Sequence, residues 1–181
     1  MKKILLYIIG LLMTMSATGC LGNGVEDEYK SWREANDEWF AQQKANTAYY
    51  TTVTAPWDKN AEVLIHWFND PSLTSNNLRP MYTSTVDVKY RGMNKDAVPF
   101  DSSYLHTTPA DSIFRVQLSN ASLVEGWPIA ITRMHIGDSC RVVIPYRLAY
   151  GSTKMTDVVL PYTNLVFDIK LVGIPAYEIK E

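Results

Sequence analysis

The sequence predicts an α+β fold: an antiparallel β-sheet folded against one short α-helix, with an amphipathic helix ahead of it. Three observations lead there. From Ala61 onward, apolar residues recur at every second position in several separate runs, which is the period of half-buried antiparallel strands. Between those runs, GWPIAITRMHIGD (126–138) switches to helical spacing, with Trp127, Ala130, Ile131 and Met134 on one face. Ahead of Ala61, EDEYKSWREANDEWFAQQKAN strings aromatic side chains at three-to-four spacing through a polar segment.

Taken in chain order, Lys2 and Lys3 precede an apolar run over 4–15 and then Ser16-Ala17-Thr18-Gly19-Cys20. That order of basic, apolar and small residues is a secretory signal, and the run is too short to span a bilayer comfortably. Its end is similar to a bacterial lipobox, with Cys20 as the lipidated first residue of the mature chain, although Ala17 stands where leucine is more common. Residues 1–19 are therefore expected to be a lipoprotein signal peptide and 20–25 a tether, with membrane attachment through acyl chains on Cys20. Residues 26–60 form the amphipathic helix and a linker, and 61–181 the main domain.

The first helix opens on Glu26-Asp27-Glu28, acids at the end of a helix that favours them. Its stripe of Tyr29, Trp32, Ala35, Trp39, Phe40 and Gln43 is expected to pack on its own domain, a partner-binding or dimerising face being the alternative. The strands follow. AEVLIHWF is one, and in TSTVDVKYRG Val86, Val88 and Tyr90 alternate with Asp87, Lys89 and Arg91. SIFRVQLS puts Phe114, Val116 and Leu118 on one face, CRVVIP is a further apolar run, and NLVFDIKLVGI turns Leu165, Phe167, Ile169 and Leu171 inward. The short helix is expected over 127–136, with Pro128 in its first turn and Gly137 as its stop. Trp127 at its head is either a core anchor or the floor of a pocket.

Several chemistries are excluded. The formal net charge of −2 comes from scattered charges of both signs and makes no nucleic-acid surface. His66, His106 and His135 lie in unrelated segments without Cys or acid at ligand spacing, so no metal site is expected. The nucleophile elbow, the P-loop and the dinucleotide fingerprint are missing. With Cys20 acylated, Cys140 has no disulfide partner and is expected to be a buried, inert thiol.

What remains is a set of aromatic residues beside isolated polar ones at turns: Tyr90, Phe100-Asp101, Trp127, Tyr150 and Phe167. This is the composition of an apolar cleft with a few polar groups, although each residue alone is more commonly core. Their order, VKYRG…PFDSSY…FRVQLSNASLVEGWPIAITRMHIGDSCRVVIPYRLAYG…LPYTNLVFDIKLVGI, resembles the FKBP-type peptidyl-prolyl cis-trans isomerases over about residues 82–174. The resemblance implies a strongly bent antiparallel sheet wrapped around the short helix, and makes 61–181 an FKBP-like isomerase domain. It implies that Trp127 is the pocket floor, walled by Phe100, Phe114, Leu123, Val124, Val158, Val159 and Phe167. Tyr90, Asp101 and Tyr150 would be the catalytic polar groups, with the Val124 N–H as a second donor to the substrate carbonyl.

The chain also departs from the family pattern. Asp96-Ala97 replaces Asp-Gly, 104–111 is longer than in compact members, Met155 replaces an aromatic or histidine at the rim, and Leu160-Pro161 stands for Pro-Pro. The implied function is cis-trans isomerisation of X-Pro bonds in exported or envelope proteins, with proline-containing polypeptides as substrates and no cofactor. The alternative is a non-catalytic proline-binding or chaperone module on a membrane-anchored lipoprotein. Oligomeric state is left open.

Overall fold

A computed structural model of the chain describes residues 28–106 and 112–175. The signal segment, Cys20 and the tether lie outside the described residues, as does most of the elongated 104–111 segment. In chain order the elements are helix α1 (Lys30–Ala45), strands β1 (Thr51–Thr54), β2 (Glu62–Trp67), β3 (Thr85–Asn94) and β4 (Pro99–Ser102), helix α2 (Ser103–His106), strand β5 (Phe114–Gln117), helix α3 (Gly126–Ile131), and strands β6 (Ser139–Ile144) and β7 (Leu165–Gly173). Two 3-10 turns, Pro71–Thr74 and Tyr146–Leu148, lie in the connections.

All pairings are antiparallel, in the order β1-β2-β6-β7-β3-β4, and β5 joins β3 beside its first half while β4 joins its second. The expected alternation sorts the two faces. Val63 and Ile65 of β2, Val86, Val88 and Tyr90 of β3, Val142 and Ile144 of β6 and Leu165, Phe167, Ile169 and Leu171 of β7 all join one buried cluster with α3. Leu64, Met93, Val143 and Val166 point the other way and join Tyr50 in a second cluster. Burying each large aliphatic side chain is worth about 1.5–3 kcal/mol, which is why a one-residue slip of register is not tolerated.

All six residues of α3 are buried. Gly126 is there because a Cβ would run into the Ile144 side chain on β6. The helix is shorter than the 127–136 expected, and the reason is Asp138. Its fully buried carboxylate accepts the His135 N–H at 2.7 Å and the Asn69 side chain at 3.0 Å, together with the Thr74 hydroxyl. That pulls 132–138 into turns instead of a further helical turn. Gly137, at φ +99°, donates its N–H to the Leu171 carbonyl at 2.9 Å and ties the turn to β7. Burial would raise the Asp138 pKa, but the His135, Thr74 and Asn69 donors outweigh it and hold the carboxyl below its ordinary range.

Helix α1 lies on the outer face of the sheet, where Trp39 and Phe40 pack against the second cluster. The aromatic stripe therefore packs on its own domain. Its centre differs from expectation: Ala35 is exposed, and Asn36 is completely buried. The Asn36 Oδ1 accepts the Asn164 N–H at 2.8 Å, and the Asn164 side-chain amide donates to the Asn36 carbonyl at 2.6 Å. Asn164 Oδ1 in turn accepts the Tyr146 N–H at 2.9 Å, and the Trp32 indole donates to Thr163 at 3.0 Å. The helix thus grips the segment that leads into β7 and the 3-10 turn before Tyr150.

Candidate functional site

The inner face of β3 supplies the first member of the site. Tyr90 is buried, and its hydroxyl donates to Asp101 Oδ2 at 2.7 Å. Asp101 reaches it because β4 pairs with the far half of β3, setting Asp101 opposite Gly92. The start of α2 secures the corner: the fully buried Ser103 Oγ accepts the Tyr90 N–H at 3.0 Å. Burial first, and then the hydrogen bond and charge of Asp101, push the Tyr90 hydroxyl far above the ordinary tyrosine pKa.

Around this pair the aromatic rings stand edge to face. The Trp127 indole, 2% exposed at the head of α3, lies 5.0 Å from Tyr90, 5.3 Å from Phe167 and 6.3 Å from Phe114, each near perpendicular. Phe100 meets Phe167 at 5.7 Å in the same manner. Such edge-to-face pairs add about 0.5–1.5 kcal/mol each beyond burial and fix ring orientation. Gly92 makes room for them, since a Cβ there would sit 2.8 Å from Phe167 and 2.9 Å from Phe100. The Trp127 N–H is buried and has no hydrogen-bond partner among the described residues.

The remaining predicted residues arrive on loops. Val124 is buried and Leu123 partly so, both against the cluster that holds Trp127. Val159 is buried in the same cluster, with its N–H donating to Thr156 Oγ1 at 3.0 Å, while Val158 is half-exposed outside it and its carbonyl accepts the Asn94 side-chain amide. Tyr150 packs on the cluster from the end of the 3-10 turn. Burial and then the Asp101 charge raise its pKa, placing its hydroxyl in the same electrostatic neighbourhood. The structure thus brings together ten of the eleven pocket residues expected from sequence, Val158 being the one set apart. Cys140 is a buried thiol against Met134, its pKa raised by burial, and has no part in the site.

The replaced turn is resolved in structural terms. Asn94 Oδ1 accepts the N–H groups of Asp96 and Val98, at 2.9 and 3.0 Å, and Ala97 sits at φ +61° where glycine is usual. Sequence reasoning missed Asn36, Asn164 and Ser103, whose buried polar side chains hold the site's framework. Only Asn36, a polar residue within the apolar stripe, carried a signal.

Comparison with known proteins adds to this geometry. Residues 77–172, just over half of the chain, match the family described as FKBP-type peptidyl-prolyl cis-trans isomerase. A macrophage infectivity potentiator from Trypanosoma cruzi is 36% identical over 95 residues, 52% of this chain and 45% of that protein. The FKBP-type 22 kDa peptidyl-prolyl cis-trans isomerase of Escherichia coli K12 is 35% identical over 95 residues, 52% of this chain and 43% of that protein. The match thus spans less than half the length of these two relatives. Among solved structures, a peptidyl-prolyl cis-trans isomerase from Pseudomonas syringae pv. tomato superposes with a TM-score of 0.64 at 25% identity, over 81% of this chain and 95% of that one. FkpA from Escherichia coli gives a TM-score of 0.65 at 22% identity, over 84% of this chain and 63% of that one, which speaks to the fold.

Proposed function

The chain belongs to the FKBP-type peptidyl-prolyl cis-trans isomerase family, and we propose that it catalyses cis-trans isomerisation of X-Pro bonds in exported or envelope polypeptides. The observation that carries this reading is the Tyr90–Asp101 pair set beside a perpendicular cage of Trp127, Phe167 and Phe114. An amide rotates only when its C–N resonance is broken, at about 18–20 kcal/mol, and X-Pro bonds are the ones with an accessible cis population. A cage of apolar rings accepts the pyrrolidine and withholds water from the amide. Planar amides are more strongly polarised than twisted ones, so a dry pocket favours the twisted form.

Catalysis is then differential binding of the transition state, with no bond made to the protein. In this reading Trp127 is the floor, and Phe100, Phe114, Leu123, Val124, Val159 and Phe167 hold the proline. Tyr150 donates to the substrate carbonyl, as would the Val124 N–H. Asp101, fixed by the Tyr90 hydroxyl, lies near the turning amide. Cys20 anchors the protein to a membrane of the cell envelope through acyl chains, and the substrates are proline-containing chains on that side.

The test is an X-Pro exchange assay on short peptides with the soluble chain from about Asn23 onward. Asp101→Ala removes an ionic hydrogen-bond partner worth about 1.5–3 kcal/mol, so kcat/KM is expected to fall about tenfold to a hundredfold. Trp127→Ala, checked for folding by circular dichroism, is expected to abolish measurable acceleration. A folded wild-type protein that accelerates none of a varied peptide set overturns the enzyme and leaves a proline-binding module.

A further inference from the structure

Helix α3 has a second flank. The loop 118–125 that leads into it packs Leu123 and Val124 on the cluster that includes the aromatic cage, and Leu123 also borders an open cavity of about 480 Å³. Its far wall is an aromatic pair from segments outside the strands, Trp57 and Tyr82, with ring centres 5.0 Å apart. Both are conspicuously bare, at 53% and 46% exposure. Roughly half of each residue's surface stays in water, and that half adds nothing to the packing of the domain.

The polar lining has one sign. Asp58 and Glu125 both border the cavity, and among the described residues no lysine, arginine or histidine does. Asp58 Oδ1 accepts the Asn60 N–H at 2.9 Å, while Glu125 is exposed and has no ion-pair partner among the described residues. On the other side of the aromatic pair, Arg79 belongs to a separate hollow and donates its Nε–H to the Thr132 carbonyl at 2.5 Å.

We propose that this cavity is a second substrate subsite, continuous with the proline pocket across Leu123, which takes an arginine side chain of the same polypeptide a few residues away from the isomerised proline. The inference rests on the isomerase reading for its continuity with the pocket. A guanidinium is the side chain that fits this wall: planar, it stacks on an exposed indole or phenol ring, and its remaining N–H groups pair with carboxylates at the rim. An extended chain advances about 3.3–3.6 Å per residue, so a few residues suffice to pass Leu123. The cavity volume lies in the range of small-ligand sites, which is ample for a guanidinium and leaves room for the chain to enter and leave.

The experiment compares a four-residue X-Pro peptide with longer peptides carrying Arg, Ala or Glu at one to six residues on either side of the proline. Wild type is expected to turn over the best-spaced Arg peptide about fivefold more efficiently in kcat/KM than its Ala counterpart, with Glu below Ala. The preference should shrink with added salt. Trp57→Ala and Glu125→Gln should each remove most of it while leaving turnover of the four-residue peptide unchanged. Equal turnover of Arg, Ala and Glu peptides at every spacing overturns the subsite, as does a Trp57→Ala protein that loses activity equally on short and long peptides. If the four-residue peptide is not turned over at all, the isomerase reading fails by itself. The subsite is then read from calorimetric titration of the same long peptides, where equal affinity for Arg, Ala and Glu overturns it and an Arg preference lost in Trp57→Ala upholds it.

Discussion

Replacing Asn36 with alanine tests how α1 is held to the domain. Asn36 is fully buried, and its side chain makes two hydrogen bonds: Oδ1 accepts the Asn164 N–H at 2.8 Å, and Nδ2 donates to the Trp32 carbonyl at 2.9 Å. Alanine leaves the Asn164 N–H without its acceptor in a place water does not reach. An orphaned buried group costs about 1–3 kcal/mol, and the small void beneath α1 adds to it. The expected loss is therefore about 2–4 kcal/mol. For a domain of this size that corresponds to a Tm lower by about 5–15 °C. Urea unfolding of wild type, Asn36→Ala, Asn164→Ala and the double variant measures it, with exposed Gln42→Ala as a control expected within about 0.5 kcal/mol of wild type. Each asparagine side chain bonds the backbone of the other residue, which alanine keeps, so the two losses should add to within about 0.5 kcal/mol in the double variant. A single-variant loss below about 0.5 kcal/mol, with the urea slope unchanged, refutes the claim that this contact holds the helix.

Other outcomes follow from the same geometry. Tyr90 and Tyr150 keep their protons beyond the ordinary tyrosine range, so the stability they contribute is complete below about pH 10 and is lost as pH rises toward their raised folded values. Urea melts from pH 8 to 11 should show wild type losing stability more steeply above pH 10 than Tyr90→Phe; parallel curves would refute the burial of that hydroxyl. Ala97 sits at φ +61° with its side chain exposed, so Ala97→Gly relieves left-handed strain of about 1–2 kcal/mol against a flexibility cost of about 0.5–1. A net gain of up to about 1 kcal/mol is expected by thermal melting, and a loss would contradict the turn. Gly126→Ala drives a methyl into Ile144 and should cost about 1–3 kcal/mol, with reduced activity because the same shift displaces Trp127. Unchanged stability in that variant would mean α3 does not approach β6 as closely as described.

Local pattern was enough for the parts of this protein whose neighbours lie close in the chain or repeat along it. The two-residue alternation in Val86-Asp87-Val88-Lys89-Tyr90 names the buried face of β3 without reference to any partner. The Gly126-Trp127-Pro128 start of α3 is equally local, and the order of Tyr90, Phe100-Asp101, Trp127, Tyr150 and Phe167 pointed to a cleft. Strands β1 and β4 were not legible, since four residues such as Thr51–Thr54 carry too few side chains to show a period and exist only because β2 supplies hydrogen bonds. The end of α3 was misplaced because the carboxylate that unwinds it is itself fixed by Asn69 and Thr74, more than sixty residues earlier.

The same division runs through the site. Side-chain chemistry and spacing chose the aromatic residues and the carboxylate, since an apolar cage and one acid can be recognised from residue types in order. Which of them meet was decided in three dimensions. Asp101 reaches the Tyr90 hydroxyl only through the antiparallel register of β3 and β4, and Val158 stays apart from Val159 because the Thr156 and Asn94 contacts turn that loop. Asn36 is the extreme case. In the sequence it interrupts an apolar stripe, and in the fold it is buried at no evident penalty because Asn164, 128 residues away, completes its hydrogen bonds. A buried polar group is tolerated only where its partner arrives, and that arrival is a property of the tertiary structure alone.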